Sequence, residues 1–76
     1  MKNKVDIFGT KYKIKYVDRV PLQEGDSPDT FYWGICDYDA KTISVATKNR
    51  RGKDLSEDDI ELNLLHELIH SFLGEG

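Results

Sequence analysis

The stretch Ser56-Glu-Asp-Asp-Ile-Glu-Leu-Asn-Leu-Leu-His-Glu-Leu-Ile-His-Ser-Phe-Leu73 decides how this chain folds, because nothing in it breaks a helix. Ser56 stands three residues before Asp59, the placing of an N-cap hydroxyl. Glu57, Asp58 and Asp59 put negative charge at the positive end of the helix dipole, and Gly74 follows as a natural stop. At about 100° per residue, with Leu62 at zero, Leu73, Ile69, Leu65, Phe72 and Leu68 share one apolar arc of about 140°. That arc is expected to pack on a sheet. His66 and His70 fall at its edge, and Asn63 and Glu67 continue round the same side. Glu67 is therefore expected to point, beside the histidines, toward an open cleft.

The residues before this helix read as strands. In Lys11-Tyr-Lys-Ile-Lys-Tyr-Val17 the apolar Tyr12, Ile14 and Tyr16 alternate with Lys11, Lys13 and Lys15, the period of a half-buried strand. Lys4 to Phe8 forms its partner through a tight turn at Gly9-Thr10. Asp18 to Thr30 holds two prolines, Gly25 and several acids, and reads as a long, mobile loop. Phe31 to Asp37 and Lys41 to Ala46 make a second hairpin that turns around Tyr38 to Lys41. The expected fold is α+β: a small antiparallel sheet of two hairpins, about four strands, packed against one C-terminal helix.

A chain of 76 residues makes one domain with a small core, and a metal or an oligomer would help to stabilise it. There is no apolar run of membrane-spanning length, and the basic N-terminus lacks the features of a signal peptide. Cys36 is the single cysteine, so no intrachain disulfide forms, and a reducing, cytoplasmic setting is expected. The net charge of −3 is uneven. Residues 1–19 carry about +4, residues 20–40 about −5, residues 41–53 about +5 and the remainder about −7. No aromatic-basic signature accompanies the basic blocks, so they read as solvated faces and a nucleic-acid partner is not favoured.

Both histidines of the chain lie in His66-Glu67-Leu68-Ile69-His70, an HExxH pattern inside the helix. Residues four apart sit one turn apart on the same face, so two imidazoles can converge on one ion. Zinc accepts neutral imidazoles at about 2.0–2.1 Å, and in a catalytic site it keeps a position for water. It lowers the pKa of that water toward about 7. A carboxylate beside the metal, Glu67, has the chemistry to take the proton and later deliver it to a leaving amine.

With LLHELIHSFL, and more loosely with WGICDYDAKTISV ahead of it, the chain resembles the zincin metallopeptidases. Within these it resembles the small ImmA/IrrE-type metallopeptidase-like proteins of prophages and mobile elements. The likeness covers roughly the second half of the chain. It implies a zincin-like domain, with His66 and His70 as zinc ligands and Glu67 as general acid/base. It also implies a peptide or protein substrate added as a strand, here along the strand ending near Ala46. The ImmA/IrrE type takes its third ligand, usually acidic, from a later helix, and this sequence has none. The metzincin extension is also missing, because Leu73 and Gly76 occupy its Gly and His positions. The chain is thus expected to be truncated after the motif, as the N-terminal part of a longer catalytic domain.

Glu75 is the one acidic residue after the motif and the candidate third ligand, provided Gly74 turns the chain back. Asp37, Asp39, Cys36 and a neighbouring molecule are the other candidates. Three functions compete. The first is a zinc-dependent metallopeptidase, active or else incomplete or inactive; the second is a non-catalytic zincin-like module that binds protein. The third is a nucleic-acid binder that uses the Lys11, Lys13 and Lys15 row and Arg50-Arg51.

Overall fold

Strand β4, Thr42–Ala46, is the most deeply buried segment of the chain: Ile43, Val45 and Ala46 are all fully covered. A strand so apolar must be paired on both sides, and it is. In the structure, a computed structural model that describes residues 3–73, the sheet order is β1-β2-β4-β3. Here β1 is Lys4–Ile7, β2 is Thr10–Val17 and β3 is Gly34–Asp37. Helix α1, Glu57–Phe72, packs across β3 and β4. The α+β class and the order of four strands then one helix are as expected.

The sheet is mixed, which corrects the expected all-antiparallel arrangement. The two hairpins are present, β1 with β2 and β3 with β4, both antiparallel. They join through a parallel pair, with Ile14 opposite Ile43 and Tyr16 opposite Val45. The segment from Asp18 to Trp33 leaves the end of β2, passes the end of β4 and enters β3 on the outside. The second hairpin therefore inserts with its apolar return strand innermost.

That crossing segment makes hydrogen bonds and ring contacts at several points. Val20 is buried. The Arg19 and Arg50 guanidinium groups both lie over the Phe31 ring, and they donate to the Thr30 and Asp29 carbonyls respectively. The Tyr32 hydroxyl and the Gln23 N–H both donate to Asp26 Oδ2. Phe31 to Trp33 lie before β3 rather than in it, although the Trp33 carbonyl still accepts from the Ala46 N–H.

The first turn is Phe8-Gly9, with φ of 50° and 84°. Thr10 already pairs with Ile7, so the turn lies one residue earlier than the sequence suggests. Positive φ at both positions suits the right-handed strand twist. The Asp6 carboxylate accepts the Gly9 N–H and completes the turn.

Helix α1 begins as its sequence dictates. Ser56 is the N-cap, and its Oγ accepts the Asp59 N–H at 3.1 Å. Ser56→Ala should cost about 1 kcal/mol, read as an equal loss in urea unfolding with an unchanged slope. A loss below about 0.3 kcal/mol would show that the cap adds nothing.

The buried face of α1 is not the one the projection predicts. Ile60, Leu64 and Glu67 are buried, whereas Leu62, Leu65 and Leu73 from the predicted arc are exposed. Leu68 and Phe72 lie between the two faces and pack on the core. Ile60 and Leu64 carry the helix onto Tyr12, Ile14, Ile43 and Val45. At the other end, Phe72 meets Tyr12 and Tyr38 edge-to-face at 5.1 and 5.7 Å. The Tyr38 hydroxyl donates to the Ser71 carbonyl and ties this last turn to the second hairpin. Among the described residues no helix is long and apolar enough to cross a membrane.

Candidate functional site

His66, Glu67 and His70 line one cleft with Tyr32, Trp33, Gly34 and Ile35. Two elements build it: the middle of α1, and β3 with the residues leading into it. The contact is close because Gly34 has no side chain. A Cβ at Gly34 would stand 3.3 Å from Glu67 Cβ and 3.2 Å from the Ser44 carbonyl oxygen. Neither neighbour is the free end of a flexible chain; one is fixed to the buried helix face, the other is backbone of the central strand.

Gly34→Ala therefore sets two effects against each other. The smaller unfolded-state entropy of alanine is worth about 0.4–1 kcal/mol. Overpacking at a rigid contact costs about 1–3 kcal/mol, so it outweighs that gain. We expect a net loss near 1 kcal/mol in chemical denaturation, with α1 pushed away from β3. An unchanged or raised midpoint would show that the helix yields freely.

The two imidazoles are exposed, with ring centres 6.4 Å apart and planes within 7°. That offset is close to one helical turn, and rotation of the exposed side chains can turn both toward a shared ion. Among the described residues, no group of three or more His, Cys, Asp or Glu is placed to hold a metal. The remaining positions would fall to solvent, substrate or residues beyond those described.

The other ligand candidates among the described residues go elsewhere. Glu75 lies outside the described residues. The Asp37 carboxylate closes the second turn by accepting the Ala40 N–H at 3.0 Å. Asp39 borders a different depression, with Pro21 and Gln23. Cys36 is half-buried and packs against the core on the helix side of β3. Burial first, then the carboxylates of Glu67 and Asp37, push its thiol above the ordinary value, while Lys41 opposes them.

Glu67 lines the cleft beside the two histidines, but it is only 9 % exposed and lies under β3. Its Oε1 accepts the Ser71 hydroxyl at 2.8 Å, one turn further along the helix. The carboxylate is consequently held in one orientation beside the histidines, and it still reaches the cleft wall. Ser71 was not singled out in the sequence; its four-residue spacing from Glu67 was the available signal. Asn63, one turn before Glu67, has its side-chain nitrogen buried without a partner among the described residues.

The strand at the cleft is β3, which corrects the expectation for the strand ending at Ala46. β4 is paired on both sides, whereas β3 is the last in the sheet and has an unpaired side. Trp33, 42 % exposed, stands where the cleft meets this edge, braced edge-to-face by Phe31 at 4.8 Å. Comparison with protein-family models, with curated proteins and with solved structures finds no match to this chain.

Proposed function

We propose that the chain binds zinc through His66 and His70 and acts as a peptidase-type hydrolase on an extended peptide. The observation that carries this reading is the shared cleft: two exposed imidazoles one turn apart, the adjoining Glu67 carboxylate and the open side of β3. Zinc bound there would supply a Lewis acid and lower the pKa of water. His66 and His70 would hold the ion through their imidazole nitrogens. Glu67, fixed by Ser71 and Gly34, takes a proton from water and returns it to the leaving amine. Unpaired backbone groups on β3 would hold the substrate as an added strand, and the cleft wall at Trp33 would contact its side chains.

A second reading is favoured by particular observations: the burial of Glu67 and the lack of a third metal-holding residue among those described. In it the same cleft binds peptide without cleaving it. Hydrolysis of a peptide library by zinc-loaded protein separates the two. Cleavage that Glu67→Gln abolishes supports the enzyme. Retention of peptides with no cleavage supports the binding module.

A further inference from the structure

We propose that the face of the sheet turned away from α1 binds a small phosphate-bearing molecule through the ammonium groups of Lys4, Lys13 and Lys15. Tyr12, Ile14 and Tyr16 of β2 pack toward the helix, so Lys11, Lys13 and Lys15, which alternate with them, stand on the other face. The register sets Lys4 directly opposite Lys13. Lys15 follows Lys13 at about 6.8 Å along the same strand. These three side chains, with Asn3, Ile14 and Thr42, line one depression of about 420 Å³. No carboxylate lines it.

Like charges directly opposite each other destabilise a strand pair, and the usual roles of surface lysine do not explain these. β2 lies between β1 and β4, so Lys13 and Lys15 do not guard a sheet edge. Among the described residues no ion pair forms at Lys4, Lys13 or Lys15. The acids nearest in register are Asp6, opposite Lys11, and Asp37, opposite Thr42. Each is tied into its own turn, where it accepts the Gly9 or the Ala40 N–H. A phosphate dianion in the depression offsets the repulsion and gives all three ammonium groups a partner. The Thr42 hydroxyl donates to the Ala40 carbonyl, so the lysines carry the recognition. Lysine meets phosphate as a point charge, whereas the carboxylates of an acidic peptide suit arginine forks, and no arginine lines the depression. Its concave shape and volume are those of a small-molecule site. Single-stranded nucleic acid needs aromatic platforms, and none is present here. A membrane surface draws on apolar area as well as charge, and the one apolar lining residue, Ile14, is buried.

Calorimetric titration of the full chain with inorganic pyrophosphate, without added metal and at about 0.1 M salt, tests this. One pyrophosphate should bind per chain with a Kd below about 1 mM, and it should raise the melting midpoint. Lys13→Gln and Lys15→Gln should each weaken binding at least tenfold. Lys11→Gln, opposite Asp6, should leave it within about twofold. All three lysines are exposed, so every variant should keep the wild-type circular dichroism. No binding by wild type at about 10 mM pyrophosphate overturns the proposal. Equal weakening by all three substitutions overturns it too, because it marks a diffuse ion atmosphere and not a site. A duplex oligonucleotide, or vesicles of anionic lipid, held more tightly than pyrophosphate overturns the small ligand and gives the face to that partner. The lysines lie on the opposite face of the sheet from α1, so zinc binding and hydrolysis can fail without affecting this result.

Discussion

Ile43→Ala should lower the stability of this protein by about 3–4 kcal/mol, read as a fall of about 15–25 °C in the melting midpoint at fixed protein concentration. Ile43 has no exposed surface and lies at the centre of β4, opposite Ile14 on one side and Cys36 on the other. It also lies under Ile60 and Leu64 of the helix. Truncation to alanine removes three carbons that every layer of the core touches. The space cannot close by local movement, because both flanking strands are held in register by backbone hydrogen bonds. The cost is therefore the lost burial plus most of a cavity. A domain of this size has a total stability of only about 4–11 kcal/mol, so the variant should be partly unfolded at 37 °C. A fall of less than about 5 °C would place the core elsewhere.

Glu67→Gln should reduce peptide hydrolysis by about 10²–10⁴-fold while leaving zinc affinity and fold intact. The separation is possible because of where Glu67 sits. A glutamine amide keeps an oxygen for the Ser71 hydroxyl and the same carbons against Gly34. It also removes a charge from a site that is 9 % exposed, so stability should hold or rise slightly. A loss of cleavage with unchanged unfolding therefore reports proton transfer rather than damage. Equal cleavage by wild type and variant would remove Glu67 from the chemistry.

What could be read in the sequence was what local chemistry controls. The Ser56 cap, the acidic first turn of the helix and the alternation of Tyr12, Ile14 and Tyr16 with lysines each depend on neighbours within a few residues. The parallel pairing of β2 with β4 could not be read. It depends on where the segment from Asp18 to Trp33 crosses, and strand alternation looks the same in either direction. The helix face was misread for a different reason. The helix has two apolar stripes, Ile60-Leu64-Leu68 and Leu62-Leu65-Ile69-Leu73, and the projection took the second, together with Leu68 and Phe72, as the buried one. At the candidate site, the pairing of His66 with His70 follows from helix period alone. The burial of Glu67 depends on Gly34, 33 positions away, and no local pattern carries that.

Zinc titration of the chelator-treated protein, alongside His66→Ala and His70→Ala, bears most directly on the proposed site. Isothermal calorimetry should show one zinc per chain, with each variant binding at least tenfold more weakly and retaining the wild-type circular dichroism. Both imidazoles are exposed, so neither substitution should disturb the core. No binding by wild type at millimolar zinc, or equal binding by all three proteins, would contradict a metal site at His66 and His70.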